Sequence, residues 1–301
     1  MDKSAYKIGF IGIGNMGWAM ATNLSEKGFD LKVFDSDKEK AKNFISSNAA
    51  VAAMALRDLT DRNVIITMLP TGQIVRKVLT DGDSGSLANS LPAGTIIIDM
   101  SSSEPFGTRE LGAELRAHGV TLIDAPVSGG VAGAQSGRLT IMYGGDDVTA
   151  IERSIPILNA LGAKLFNVGG LGCGHAMKAI NNYVAATTYA ATSDALSMGA
   201  EFGIDQSTIV DILNVSTGRN FHTDIVIKNH VLSGSYDMGF AIGLLAKDVK
   251  IAADLGNELK MSLPLLKLMD ERWEFARKIR GSTKDYTEAH VAWSSGNINK
   301  A

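Results

Sequence analysis

Through the first half of this chain, short and continuously apolar runs alternate with longer stretches in which apolar residues return every three or four positions. A strand buried on both faces reads as an unbroken apolar run, and a helix lying against it reads with a period of about 3.6 residues. Strands are therefore predicted over 7–11, 31–34, 64–68, 95–98 and 120–123, with two more over 139–143 and 163–168. Helices are predicted over 16–27, with Gly28 as the stop, over 38–46, with Asp37 as N-cap, and over 148–161. This alternation is the signature of a parallel sheet with crossover helices. The glycines at 169, 170, 172 and 174 mark a joint, after which the pattern is helical: 176–200, 207–215, 222–232, 242–259, 263–279 and 286–293. The first of these helices is rich in Ala, Thr and Ser, small residues that let helices approach closely. The expectation is an α/β domain over 1–170 followed by an all-helical domain over 171–301.

The first predicted strand runs into Gly12-Ile13-Gly14-Asn15-Met16-Gly17, a Gly-Xaa-Gly-Xaa-Xaa-Gly turn that opens a helix. The first glycine permits the tight turn, the second lets backbone approach a pyrophosphate, and the third lets the helix pack against its strand. The helix N-terminus then offers unpaired N–H groups and a positive dipole end to phosphate. With strand, turn, helix, stop and second strand all in place, the first domain reads as a Rossmann dinucleotide-binding domain. Asp35 ends the second strand where an acid accepts hydrogen bonds from ribose hydroxyls, which favours NAD; an NADP site needs a cation, and Asp35 and Asp37 are offset here only by Lys38. The turns Leu69-Pro70-Thr71 and Asp99-Met100-Ser101-Ser102 follow the third and fourth strands, so they are expected to line the cofactor crevice. The alternative is that Thr71 and Ser103 simply cap helices.

Composition narrows the class further. The chain has 301 residues, 45% of them hydrophobic, enough for two cores. A net charge of -3 and a pI near 6.0 supply no basic field for nucleic acid. Its apolar segments are interrupted before reaching membrane-spanning length, and the N-terminal one is broken by the glycine turn, so neither a membrane span nor a leader peptide fits. A single cysteine, Cys173, makes no internal disulfide and no structural zinc site, and no metal is expected. These features point to a cytoplasmic protein.

A nicotinamide moves only a hydride, so the alcohol or carbonyl oxygen needs a separate partner to exchange its proton. Lys178 is the candidate. It stands four residues before Asn182, on one helix face, and flanking Met177 and Ile180 are expected to strip it of solvent. Asn182 would hold the substrate hydroxyl. A solvated surface lysine is the alternative. Ser128-Gly129-Gly130 is a second candidate, since successive N–H groups in a glycine turn make a concave anion nest and the Ser128 hydroxyl adds a donor; a plain loop is its alternative. Arg219, in the polar segment 216–222, either grips a second anionic group on the substrate or bridges domains or subunits. His175, one turn before Lys178, is expected to be structural or to support its neighbours, the alternative being a second base.

Taken together, Gly9-Phe10-Ile11-Gly12-Ile13-Gly14-Asn15-Met16-Gly17, Asp124-Ala125-Pro126-Val127-Ser128-Gly129-Gly130, Gly172-Cys173-Gly174-His175-Ala176-Met177-Lys178 with Asn182, and Lys247-Asp248 resemble the β-hydroxyacid dehydrogenase family along nearly the whole chain. The resemblance implies that Lys178 is the acid/base with Asn182 as companion, and that Ser128, Gly129 and Gly130 bind a substrate carboxylate. It further implies that Leu69, Pro70 and Ser102 touch the cofactor, Ser102 standing where the family usually has threonine, and that Lys247 approaches the cofactor while Phe240 and Asp248 close the substrate pocket. The expected activity is hydride transfer between NAD and a short 3-hydroxy acid or its semialdehyde, in a homodimer or homotetramer, with the active site between the domains. Two alternatives stand beside it: an imine reductase on the same scaffold, against which Lys178 argues, and a non-enzymatic dinucleotide-binding protein.

Overall fold

A computed structural model describes residues 5–81 and 87–294. The chain divides into two compact units, the first ending at Lys178 and the second beginning at Ala179.

The first unit is built on β1 (Lys7–Ile11), α1 (Asn15–Glu26), β2 (Asp30–Phe34), α2 (Lys38–Ser47), β3 (Val51–Ala52), β4 (Val64–Thr67), α3 (Gly72–Thr80), α4 (Leu87–Ser90), β5 (Ile96–Asp99), α5 (Pro105–Arg116), β6 (Thr121–Asp124), β7 (Val127–Ser128), α6 (Gly130–Gln135), β8 (Leu139–Gly144), α7 (Val148–Leu161) and β9 (Gly162–Gly169). The sheet runs β3-β2-β1-β4-β5-β6, all parallel, and continues through β8, which is antiparallel to β6 and β7 and parallel to β9. The first six strands have the Rossmann order, whose direction reverses between β1 and β4; ligands bind outside the carboxyl ends of the strands at such a point.

The apolar runs explain this sheet. β4 and β5 are wholly buried, and their side chains alternate between two cores: Ile66 and Ile98 pack with Ile8, Phe10 and Val33, whereas Ile65 and Ile97 pack with Leu79, Leu111 and Leu122. Helices lie over both faces, so neither face tolerates polar residues. Asp37 caps α2 by accepting from Glu39 N, as its position predicts.

The long helix α8 (Cys173–Glu201) crosses the division between the units. After it come α9 (Gln206–Asn214), a π-helical segment (His222–Leu232), α10 (Ile242–Glu258), α11 (Pro264–Arg280), a 3-10 turn (Tyr286–Glu288) and α12 (Ala289–Ser294). The helix expected over 286–293 is thus two short pieces, and the segment 222–232 has the expected limits with a wider winding. No helix among the described residues is long and apolar enough to cross a membrane.

The second unit packs around Tyr189, Trp273, Tyr286 and Trp293, with the Tyr189 hydroxyl donating to Thr287 O at 2.6 Å. His222 is buried in this cluster, edge-on to Tyr189 and Tyr286. Burial pushes the imidazole down from 6.5 to about 4. The unfolded chain therefore binds a proton that the folded chain refuses between those values. The contribution of His222 is complete above pH 6.5 and is lost as pH falls toward 4. Urea unfolding should show a loss of about 2 kcal/mol from this group between about pH 7 and pH 5. His222→Gln should remove that share of the pH dependence; an unchanged slope would overturn the assignment.

Candidate active site

At the end of β1, Gly12 turns the chain at φ +103°, and its N–H donates to Phe34 O. A Cβ here would stand 2.3 Å from Met68 O, so no side chain fits. Gly17 lets α1 lie against this turn, since a Cβ would come within 1.9 Å of Gly12 O. Gly14 differs: it caps α1 without any side-chain bond and is exposed, and a Cβ on it would meet nothing within 4 Å. The helix end thus opens onto free space beside backbone N–H groups, the cradle a pyrophosphate needs. Asp35 flanks the turn, accepting from Ile13 N at 2.7 Å and Asp37 N at 2.9 Å. These residues fit a bound dinucleotide.

The next turns are held by Asp99 at the end of β5. Its carboxylate, buried, accepts from Thr67 Oγ1 at 2.8 Å, Ser101 N at 3.1 Å and Ser103 Oγ at 2.9 Å. Ser101 Oγ in turn accepts from Leu69 N at 2.9 Å. The strand ends carrying Leu69-Pro70 and Ser102 are therefore one bonded assembly. Thr71 does cap α3, accepting from Ile74 N. Ser103 does not cap α5: that helix has Glu104 as N-cap and Pro105 at its start, and the Ser103 hydroxyl is engaged by Asp99.

Ser128 ends β7, and Gly129 and Gly130, at φ +130° and +62°, swing the chain into α6. Both glycines are exposed, and α6 begins without a side-chain cap. The helix start is therefore exposed and has no side-chain acceptor of its own, which is compatible with the anion nest expected there.

Asp124, at the end of β6, lies in register with Asp99 on the neighbouring strand. It is fully buried and accepts from Gly172 N at 2.9 Å, just before α8, and from His175 N at 2.8 Å in its first turn. Burial pushes its carboxyl up, opposed by the His175 ring and by these N–H groups. The His175 ring lies between the two acids, with Nε2 3.6 Å from Asp99 Oδ2 and Nδ1 3.9 Å from Asp124 Oδ2. Nδ1 is hydrogen-bonded to Thr108 Oγ1 at 2.8 Å, and the same hydroxyl lies 2.9 Å from Glu104 O. One turn later, Lys178 is half-buried. Met177 and Ile180 do not shield it: they are 37% and 45% exposed, because residues one before and two after a lysine point to other helix faces.

In the second unit, Asn182 is buried, and its Nδ2 donates to Asp248 Oδ2 at 2.5 Å, while Lys247 Nζ pairs with Asp248 Oδ1 at 3.0 Å. Asn181 Nδ2 donates to Asn182 Oδ1. Phe240 is half-buried against Tyr286, its N–H held by Asp285 at 3.3 Å and its carbonyl by Tyr286 N at 2.8 Å. The structure thus brings together Asn182, Lys247 and Asp248. Arg219 belongs to a different pair: it binds Asp224 at 2.9 Å and is largely exposed. Asp99 was expected only as part of a turn lining the cofactor crevice and Asp124 only as part of a motif, neither with a role of its own, and Thr108 was not predicted; for the two acids the sequence signal was an acid closing a buried apolar strand.

The order of the sheet, the open glycine turn at its switch point and Asp35 beside that turn define a dinucleotide-binding domain. Residues 7–170 match the NAD-binding domain of 6-phosphogluconate dehydrogenase, and residues 172–292 match the NAD-binding of NADP-dependent 3-hydroxyisobutyrate dehydrogenase. The chain is 32% identical over 293 residues to 2-(hydroxymethyl)glutarate dehydrogenase of Eubacterium barkeri, covering 97% of this chain and 96% of that protein. It is 35% identical over 265 residues to NAD-dependent L-serine dehydrogenase of Pseudomonas aeruginosa, covering 86% and 88%. Mycobacterium tuberculosis 3-hydroxyisobutyrate dehydrogenase, solved with L-serine, superposes with a TM-score of 0.87 at 27% identity over 96% of this chain and 99% of that one. The chain belongs to the β-hydroxyacid dehydrogenase family. An imine reductase from Streptomyces aurantiacus, at 15% identity and a TM-score of 0.63, shares the fold alone.

Proposed function

We propose that this enzyme oxidises a short 3-hydroxy acid with NAD, and runs the reverse reduction of the matching semialdehyde, with Lys178 as general acid/base. The observation that carries this reading is that one helix, α8, presents Lys178 and then Asn182 one turn later, each fastened nearby by a buried carboxylate, Asp124 before the lysine and Asp248 beside the asparagine. When bound, NAD supplies the hydride acceptor. The uncharged Lys178 amine takes the hydroxyl proton, and the ammonium returns it in the reduction. Asn182 uses one N–H on Asp248, and its second orients the substrate oxygen. The Ser128 hydroxyl and the N–H groups of Gly129 and Gly130 hold the carboxylate, and Lys247 and Phe240 complete the surroundings of cofactor and substrate. Asp35, with no cation on its own turn, supports NAD over NADP.

The reading extends to a cytoplasmic homodimer or homotetramer. Met198, Phe202 and Val215 support self-association, since these second-unit residues are 73%, 85% and 86% exposed and large exposed apolar residues favour burial against another chain.

Initial rates with NAD and with NADP across 3-hydroxyisobutyrate, glycerate, serine and 2-hydroxymethylglutarate test it. A clear NAD-linked rate on a member of the panel is expected. Silence on all of them and on the matching semialdehydes, with NAD binding demonstrated, would overturn the assignment.

A further inference from the structure

We propose that Asp124 is a positioning residue for the reaction: it fastens the first turn of α8, and with it Lys178, to the strand end that leads into the Ser128 turn. This rests on Lys178 being the acid/base.

The first N–H groups of a helix need acceptors from outside it. In three other helices of this chain a local aspartate supplies one: Asp37 for α2, Asp147 for α7 and Asp205 for α9, each accepting within its own segment. The residues before α8, Gly170-Leu171-Gly172, carry no such group. The acceptor comes instead from β6, some fifty residues earlier, and uses both carboxylate oxygens, one on Gly172 N and one on His175 N. Two glycines make the approach possible. A Cβ on Gly174 would stand 2.8 Å from Asp124 Oδ2 and 2.5 Å from Met142 O, and one on Gly144 would stand 3.0 Å from Asp124 Oδ1.

A local cap would end the helix equally well, so the remote carboxylate does something a cap alone does not. It registers the helix against a strand. Asp124 stands four residues before Ser128, and its neighbour in register, Asp99, holds the Leu69 and Ser101 turns. The His175 ring, anchored by Thr108, fills the space between the two acids and gives α8 a second bearing on the same strand ends. Lys178 follows His175 by three residues, and every one of these contacts lies inside the first unit. The catalytic amine is thereby indexed to the cofactor turns and the anion nest through one buried assembly. An offset of about 1 Å at a reacting group can cost about 10²-fold in rate.

Asp124→Asn replaces one acceptor oxygen by a donor and sets it against a helix N–H. It should lower kcat by about 10-fold to 100-fold while the Kd for NAD stays within about twofold. The decisive comparison is made in the Lys178→Ala background, with methylamine added so that the residual rate is measurable. If Asp124 acts through the lysine, Asp124→Asn costs nothing further there, because a diffusing amine needs no positioned helix. An equal loss in both backgrounds, or an Asp124→Asn enzyme with wild-type kcat, would overturn the proposal. Thr108→Val, which removes the hydroxyl that holds the His175 ring and leaves the Asp124 bonds in place, is the milder variant should Asp124→Asn not fold; a loss of about threefold or more is expected, again only when Lys178 is present, and no loss would overturn it. Wild-type turnover by Lys178→Ala alone would instead remove the acid/base reading, independently of any Asp124 result.

Discussion

Lys178→Ala is expected to lower kcat by about 10³-fold or more, since a positioned general acid/base contributes about 10²-fold to 10⁴-fold and hydride departure from an alcohol stalls while the hydroxyl keeps its proton. The residues proposed to bind the cofactor on the first unit sit elsewhere in the chain: the turn 12–17, Asp35, the Leu69-Pro70 step and the Ser101 to Ser103 segment are fixed by their own bonds to β2, β4 and β5. NAD titration should therefore give the wild-type Kd. Lys178→Arg separates proton transfer from charge. A guanidinium retains the positive charge and does not give up its proton near neutrality, so this variant should be nearly as slow as the alanine. Wild-type rates in either variant would exclude Lys178 from the chemistry.

Gly17→Ala should remove dinucleotide binding and destabilise the first unit at once. The added carbon falls 1.9 Å from Gly12 O, and because the obstacle is backbone no rotamer change relieves it. α1 must withdraw from β1, which moves the glycine turn and the N–H groups aimed at the phosphates. Overpacking of this kind costs about 1–3 kcal/mol or more. Gly14→Ala is the contrasting case. A Cβ there meets nothing within 4 Å, so the protein should fold with an unchanged Tm and yet bind NAD weakly, because the methyl occupies the face that a pyrophosphate approaches. Thermal melts and NAD titrations on the two variants separate these effects. Unchanged NAD affinity in Gly14→Ala would count against the turn as the phosphate site.

The contrast between those two glycines was legible in the sequence only as a spacing. The strands were legible because β1, β4, β5 and β6 are buried apolar runs with polar residues only at their ends, so their limits follow from composition to within a residue or so. The two-residue strands β3 and β7 were not, because so short a segment has no period. α5 was missed: Phe106, Leu111 and Leu115 are spread too thinly among polar residues to announce a helix. The segment 222–232 shows a different limit. Its apolar content marks a helix, but α and π windings differ by one residue in their hydrogen bonding, which side-chain pattern does not encode. At the site, the glycine turn and the lysine-asparagine pair were readable because each lies within one segment. The Asp99, His175 and Asp124 cluster was not, because strand register across β5 and β6, and the return of the chain at Gly172, create it.

The boundary between the units falls after Lys178 and inside α8. A splice at 170 would part the incoming helix from the Asp124 to which its first turn is bonded. A splice after 178 keeps Asp124, His175 and Lys178 as one inherited block and imports Asn182, Phe240, Lys247 and Asp248 together. For recombination between relatives, the second junction trades the residues proposed to surround the substrate and leaves the proposed proton-transfer group on its own strand ends.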